Sequence, residues 1–313
     1  MKVVFMGTAA FAVPALRAVK AAGHEVALVV CQPDRHQGRG QHLHAPPLKE
    51  AALELGLEVF QPEKIKEAAA VERLRSASCD VLCVVAYGQI LPQAVLDLPR
   101  LMPLNVHGSL LPKYRGAAPI EWAVAMGEAE TGVCVQKMAY KLDSGDLLLS
   151  EAMPLSDADD ATSITPRLSE MGAALLVQAL KKLSEGGPAL LPQDEAAATF
   201  APLLKKSHGS LDFKLSASEL RNRFRGFKAR PGVHSALGGE TIKIHDLRAG
   251  EPAQAEAGTL LAIEARGLQV ACGAGGSVWL KEVQSAGGKA MPAADWSRGR
   301  KAQVGDRFQD PVF

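Results

Sequence analysis

The residues best suited to chemistry are Asn105, His107 and, 36 positions after that histidine, Asp143. They offer an amide donor, an imidazole and a carboxylate. Such a set can stabilise the oxyanion of a tetrahedral intermediate and move a proton from an amine. The three residue types therefore indicate acyl transfer to an amine.

Two roles for His107 are compatible with this chemistry. In the first, His107 and Asn105 donate hydrogen bonds to the oxygen that gains charge, and Asp143 orients the ring and keeps it cationic. In the second, His107 is a general base that takes the amine proton, directly or through a water. Residue types and spacing do not separate the two.

The elements around these residues predict where they lie. The apolar run at residues 80–86 is typical of a fully buried strand, and a strand ending near His107 would place Asn105 and His107 on one face. Strand and helix patterns alternate through the first half, which predicts an α/β fold with a doubly wound, mostly parallel, Rossmann-like sheet. Ligands bind at the carboxyl ends of such strands.

The second half has a different pattern. Short strands are predicted between Gly-containing turns from residue 241 to 283, after one helix at 217–226, and this favours a small β-barrel. A glycine pair followed by Pro188 and an acidic, Ala-rich stretch predicts a linker. We therefore expect a catalytic domain at 1–184, a linker at 185–204 and a C-terminal barrel at 205–313.

Charge is unevenly divided along the chain. The net charge of the 313 residues is +1, but residues 1–204 hold 18 basic and 23 acidic residues, a net of −5, and the remainder has 17 and 11, a net of +6. A basic second half predicts contact with a polyanion. The five cysteines are scattered, mostly in apolar runs, so we expect reduced thiols in a cytoplasmic protein, with no metal site and no membrane span.

Two basic segments are candidates for phosphate contact. One is the Gly-containing loop with Arg35 and Arg39, and the other, at residues 221–230, has five basic residues and no acid. Their alternatives are a mobile surface loop and a solvated helix face. The nucleic-acid interpretation predicts phosphate contacts from Arg35, Arg39, Arg221, Arg223, Arg225 and Lys228.

The order of motifs resembles the methionyl-tRNA formyltransferase family along nearly the whole chain. The matching segments are residues 32–35, 38–40, 84–92, 105–112, 114–120 and 142–146. The run from Asn105 to Ile120 is highly specific for enzymes that transfer formyl from 10-formyltetrahydrofolate.

The resemblance implies a catalytic domain of the formyltransferase type and an OB-like barrel that lies along tRNA. It implies catalytic roles for Asn105, His107 and Asp143, insertion of the Arg39 loop at the acceptor stem, and action on initiator methionyl-tRNA. We expect a monomer. It also implies folate contacts, with the pterin near the end of the buried strand, from Tyr87, Gly88, Ile90, Ser109, Leu110, Leu111 and Pro112.

Other functions remain as alternatives. A folate-dependent formyltransferase acting on a sugar nucleotide or another small amine shares the fold, but is not expected to carry the basic loop at 38–40. A nicotinamide oxidoreductase lacks support because Gly7 does not stand in a G-x-G-x-x-G run. A non-catalytic nucleic-acid-binding module would leave the Asn105, His107 and Asp143 set without a purpose. The chain departs from the family pattern at Ala9-Ala10, Ser207-His208 and 228–230, outside the catalytic set.

Overall fold

The computed structural model describes residues 1–37, 42–187 and 189–310 of a chain that forms two units. Unit 1 consists of Met1–Pro119, Glu130–Pro154 and Ser163–Ala201. Unit 2 consists of Ile120–Ala129, Leu155–Thr162 and Pro202–Phe313. Each unit is therefore built from segments that are discontinuous in sequence.

Unit 1 is organised around one seven-stranded sheet. The strands of unit 1, including the two short pairs outside this sheet, are β1 (Lys2–Gly7), β2 (Glu25–Val30), β3 (Arg35–Gln37), β4 (His42–His44), β5 (Val59–Phe60), β6 (Val81–Val85), β7 (Met102–His107), β8 (Arg115–Gly116), β9 (Glu130–Lys137), β10 (Leu147–Pro154) and β11 (Phe200–Ala201). The helices are α1 (Val13–Ala21), α2 (Pro47–Glu54), α3 (Ala68–Ala77), α4 (Gln93–Leu96), α5 (Pro119–Ala125) and α6 (Ala161–Ser184), of which α5 and α6 begin or end in unit 2.

The sheet order is β10-β9-β7-β6-β1-β2-β5. The strands β7, β6, β1, β2 and β5 run parallel. At one side β9 pairs antiparallel with β7, and β10 pairs antiparallel with β9. The order reverses at β1, as in a doubly wound sheet. All five residues of β6 are buried, which explains their unbroken apolar character. The predicted mostly parallel α/β fold is confirmed.

Unit 2 contains a curled antiparallel sheet. Its strands are β12 (Val233–Leu237), β13 (Glu240–Ala249), β14 (Leu260–Glu264), β15 (Gly267–Cys272), β16 (Gly276–Ser285), β17 (Met291–Pro292) and β18 (Phe308–Gln309), with helices α7 (Ala217–Phe227) and α8 (Ala293–Arg300). The order is β14-β15-β16-β13-β12-β18. The two outer strands approach each other, since the amide of Leu260 donates to the carbonyl of Asp306 and that of Phe308 to Gly258. The predicted OB-like barrel is confirmed.

The segment predicted as a linker contributes to unit 1 up to Ala201. Leu191 exchanges two backbone hydrogen bonds with Leu147, and β11 pairs in parallel with β8. The boundaries therefore differ from the predicted division at 184 and 204. Composition marked this stretch as unstructured, but strand pairing at its ends holds it against the sheet domain.

The predicted charge asymmetry does not correspond to the two units. The segments 120–129 and 155–162 bring five acidic and no basic residues to unit 2, which then has 17 basic and 16 acidic residues, a net of +1. Unit 1 has 18 of each sign, a net of zero. Dividing the charge count at residue 204 assigned the basic segment and its acidic partners to different halves of the sequence.

All five cysteines are buried free thiols. Burial raises the pKa of Cys31 and of Cys134 to about 11, so both stay protonated at neutral pH. In the described ranges no helix is both long and apolar enough to cross a membrane.

A glycine in α7 lies where this helix and α5 are in close contact in unit 2. A Cβ at Gly226 would lie 2.6 Å from the Cβ of Ala125 and 2.6 Å from the carbonyl oxygen of Glu121. Overpacking of this kind costs roughly 1–3 kcal/mol, against about 1 kcal/mol that alanine gains in helix propensity. Because the contact includes backbone atoms that cannot easily move, the packing cost exceeds this gain, and we predict that Gly226→Ala lowers the free energy of unfolding by up to about 2 kcal/mol.

The measurement is urea unfolding followed by tryptophan fluorescence, because all three tryptophans, at 122, 279 and 296, lie in unit 2. Gly299, in α8, is the matched control, since a Cβ there meets nothing within 4 Å. Gly299→Ala should leave the midpoint unchanged or raise it. A Gly226→Ala midpoint at or above that of wild type would contradict the packing argument.

Candidate active site

Asn105 and His107 lie near the carboxyl end of β7, two residues apart and on one face of the sheet. The neighbouring strand β6 pairs with β7 in parallel, with Val84 opposite Asn105. The loops after both strands therefore leave the sheet at the same edge. His107 is only 6% exposed, whereas Asn105 is half-buried.

Asp143 joins these two residues from the loop between β9 and β10. Its Oδ1 accepts from Nδ2 of Asn105 at 3.4 Å, and its Oδ2 accepts from the amide of Gly116 at 2.9 Å. The distance from Oδ2 to Nδ1 of His107 is 3.7 Å. The side chain of Asp143 is 12% exposed. The three residues that the sequence analysis singled out are therefore in contact.

The proton of His107 is fixed at one ring nitrogen. Nε2 lies 2.9 Å from the carbonyl oxygen of Tyr114, and because a carbonyl only accepts, Nε2 carries a hydrogen. Nδ1 is the nitrogen that faces Asp143. Any proton that His107 exchanges is therefore exchanged at Nδ1, beside the carboxylate.

Two glutamines contact Asp143, one at its carboxylate and one at its backbone, and the sequence analysis missed both. Gln136 lies on β9 directly opposite Asn105, is 1% exposed, and donates to Oδ1 of Asp143 at 3.1 Å. Gln193 donates to the backbone carbonyls of Asp143 and Gly145 at 2.9 and 2.6 Å. The sequence feature that could have pointed to Gln136 is its position as an amide side chain in the otherwise apolar run of β9.

The loop after β6 contains the first group of predicted folate contacts. Ile90 is 85% exposed, and the backbone of residues 88–91 makes no backbone hydrogen bond to another described residue. The ring of Tyr87, by contrast, is buried in the core, and its carbonyl accepts from Thr8 and Gln32. This loop therefore offers a ligand backbone N–H and C=O groups that have no described backbone partner, whereas the buried Tyr87 ring cannot contact a ligand.

The loop after β7 contains the second group, Ser109, Leu110, Leu111 and Pro112. The Ser109 hydroxyl donates to the carbonyl of Lys113 at 2.6 Å, and the amide of Leu111 donates to the thiol of Cys134 at 3.3 Å. Ser109 and Leu111 are buried, and their side chains brace the loop. Leu110 and Pro112 are half-buried, and this loop shares the sheet edge with residues 88–91.

Most of the basic candidates have partners within their own unit. Arg35 pairs with Glu63 at 2.8 Å. Arg221 pairs with Asp157 at 2.5 Å, Lys228 with Asp160 at 2.6 Å, and Arg225 donates to the carbonyls of Ser156 and Asp159. Arg223 has no ion-pair partner within 4.0 Å among the described residues, and Arg39 lies outside them. Leu220, Phe224 and Phe227 face the core of unit 2, as predicted.

The acidic partners of this helix come from positions more than 60 residues earlier in the chain. Their distance in sequence explains why the cluster looked unbalanced. To contact tRNA phosphate, Arg221, Arg225 and Lys228 would have to give up these interactions. Phosphate contact by the six basic candidates of the sequence analysis stays a prediction. No group of three potential metal ligands is found in the described ranges.

Comparisons with known proteins match both parts of the chain. Residues 1–180 match the family described as formyl transferase, and residues 203–301 match the formyl transferase C-terminal domain. The methionyl-tRNA formyltransferase of Acidobacterium capsulatum is 48% identical over 300 residues, covering 96% of each chain. That of Dechloromonas aromatica is 43% identical over 312 residues, covering 100% of each.

A solved structure shares the fold at much lower identity. It is that of an N-formyltransferase from Helicobacter canadensis in complex with folinic acid and dTDP-3-aminofucose. The two chains are 15% identical with a TM-score of 0.66, and the match covers 90% of this chain and 98% of the other.

Proposed function

Because this chain belongs to the formyl transferase family, we propose that it transfers the formyl group of 10-formyltetrahydrofolate to the free amine of methionyl initiator tRNA. The product is N-formylmethionyl-tRNA, used in translation initiation. The observation that carries the proposal is the contact of Asn105, His107 and Asp143 at the carboxyl edge of the parallel sheet. Full-length relatives at 43–48% identity, all methionyl-tRNA formyltransferases, support this acceptor.

The described residues fit a folate donor. A pterin edge is rich in hydrogen-bond donors and acceptors, and the backbone of residues 88–91 has such groups free of backbone partners. We place the pterin there, beside the exposed Ile90, with Leu110 and Pro112 of the second loop along the donor. Ser109 and Leu111 shape that loop from within, and Tyr87 supports the first loop from the core.

When bound, the donor supplies a formyl group on N10. Asn105 has two N–H groups and gives one to Asp143, so the second is free to stabilise the oxygen that becomes negative as the amine attacks. His107 can add a second donor only through Nδ1, since Nε2 is held by Tyr114. Asp143, paired with His107, takes the amine proton and passes it through a water to the leaving nitrogen.

The tRNA contacts belong to the same proposal. Arg39 and Arg35 come from the loop that the sequence resemblance places at the acceptor stem, and Arg223 is the residue of the basic helix without an ion-pair partner among the described residues. Arg221, Arg225 and Lys228 join only by exchanging their present partners. The five free thiols support a reducing compartment, and we propose a cytoplasmic monomer.

A sugar-nucleotide acceptor is the alternative. The N-formyltransferase from Helicobacter canadensis that was solved with dTDP-3-aminofucose shares the fold, but it is only 15% identical to this chain. Competing acceptors decide between the two: methionyl initiator tRNA, uncharged tRNA, a 3-amino-sugar nucleotide, glycinamide ribonucleotide and water are supplied with the donor. Formyl should appear on the methionyl amine. Formylation of the amino sugar in preference to the tRNA would overturn the proposed acceptor.

The role of Asp143 gives a direct prediction. Asp143→Ala should lower kcat by about 100- to 10,000-fold, the range expected for a residue that handles a proton in the transition state. The chain should still fold, as checked by circular dichroism. Asp97→Ala, at an exposed position, is the control and should match wild type. Single-turnover rates of Asp143→Ala equal to those of wild type would refute the role.

The role of Arg39 is tested by binding. Arg39→Ala should raise KM for the charged tRNA, leave KM for the donor unchanged, and reduce the slope of log affinity against log salt by about one phosphate contact. Lys20→Ala removes the same charge from an exposed position of α1 and should change none of these values. An equal rise in both KM values would place Arg39 in donor binding instead.

A further inference from the structure

The catalytic carboxylate belongs to a residue with an unfavourable backbone. Asp143 has φ +47°, in the left-handed region that residues other than glycine rarely adopt. Such a conformation persists only where surrounding contacts hold it. What holds the Asp143 backbone therefore also sets the position of its carboxylate.

Besides the loop's own hydrogen bonds, such as that from the amide of Ser144 to the carbonyl of Lys141, contacts come from residues 189–201, which we name the strap. Gln193 donates from one amide nitrogen to the carbonyls of Asp143 and Gly145, on both sides of Ser144. Its amide oxygen accepts from Nε and Nη2 of Arg115, at 3.1 and 2.8 Å. The Arg115 side chain is fully buried, so it fixes the orientation of the amide.

The strap also reaches the other catalytic side chain. The hydroxyl of Thr199 accepts from the amide of Tyr114 at 2.9 Å, and the carbonyl of Thr199 accepts from the amide of Arg115. Tyr114, like Asp143, has a positive φ, of +61°. Its carbonyl is the acceptor that fixes Nε2 of His107. One segment thus supports the backbone behind both His107 and Asp143.

Glu195 anchors the middle of the strap. It pairs with Arg115 at 2.8 Å and with Lys141, in the Asp143 loop, at 2.5 Å. Hydrogen bonds from Arg115 and then Lys141 lower the pKa of Glu195 to about 2, so it stays ionised under physiological conditions. The strap lies between the two ranges that match the family, residues 1–180 and 203–301.

We propose that Gln193 and Thr199 are positioning residues, through which the strap holds Asp143 and His107 in reactive geometry. This rests on the proposed function for its activity assay. The strap touches neither side chain of the catalytic pair directly. It acts through the backbone of Asp143 and Tyr114, and through Gln136, whose Oε1 accepts from Nε2 of Gln193 at 3.4 Å. Small displacements of catalytic groups cost up to about 100-fold in rate, so the effect should be on turnover rather than on donor binding.

The first test is Gln193→Glu. The change keeps the size of the side chain and an acceptor for Arg115, but replaces the donor facing two carbonyls with an acceptor. We expect kcat to fall by about 10- to 100-fold with KM for the donor unchanged. Gln178→Glu, the same change on the exposed face of α6, should match wild type. A Gln193→Glu kcat equal to that of wild type overturns the proposal.

A double-mutant cycle separates positioning from a general loss of folding. Once Asp143 is replaced by alanine, Gln193 has no carboxylate to position, so Gln193→Glu should cause little further loss of single-turnover rate in that background. Full multiplication of the two losses would show that Gln193 acts independently of Asp143, and would overturn the proposal.

A second variant decides the matter if Gln193→Glu does not fold. Thr199→Val removes the acceptor for the Tyr114 amide at nearly constant shape, whereas Thr199→Ser keeps it. We expect reduced kcat for the valine variant and near wild-type kcat for the serine variant. Equal kcat in both overturns the proposal.

A measurement that needs no substrate tests the positioning role of the strap separately from the proposed function. Hydrogen exchange of residues 139–146 should be faster in Gln193→Glu than in wild type and in Gln178→Glu. Unchanged exchange overturns the strap. A wild-type enzyme that formylates no methionyl-tRNA would instead overturn the proposed function and leave this result standing.

Discussion

The carboxylate of Asp143 is the point at which the catalytic site is held together. It accepts hydrogen bonds from Asn105, from Gln136 and from the amide of Gly116, and it faces Nδ1 of His107. These donors come from three strands of unit 1, β7, β9 and β8. A carboxylate in so many contacts is fixed in position and kept largely from water, and both effects strengthen its electrostatic interaction with a neighbouring ring.

The sequence was sufficient for everything that depends on local pattern. Apolar runs predicted β6 and the parallel sheet, Gly-containing turns predicted the barrel strands, and the spacing of Asn105 and His107 predicted their shared face. These features depend on neighbours within a few residues, so periodicity captures them. The approach of Asp143 to that pair, however, was expected only from chemistry and resemblance, because a loop sets it.

The features that the sequence did not predict all depend on contacts between distant segments. An acidic, Ala-rich composition is typical of a linker, yet Gln193 contacts a carbonyl 50 residues away. The basic stretch of α7 looked like an unbalanced cluster until Asp157 and Asp160 were found beside it. Composition records which residues are present, but not which distant residues they meet. Charge counted along the sequence, −5 and +6 for the two halves, therefore differs from charge counted in space, zero and +1 for the two units.

The discontinuity of unit 2 has a consequence for how the protein is made. Residues 120–129 and 155–162 leave the ribosome well before residues 202–313, which supply every strand of their unit. During synthesis, Trp122 and three aspartates of the earlier segments stay exposed to solvent until the apolar and basic residues that they contact have been made. Completion of the barrel unit is thus a late event in translation, since domains fold as units once their chain has emerged.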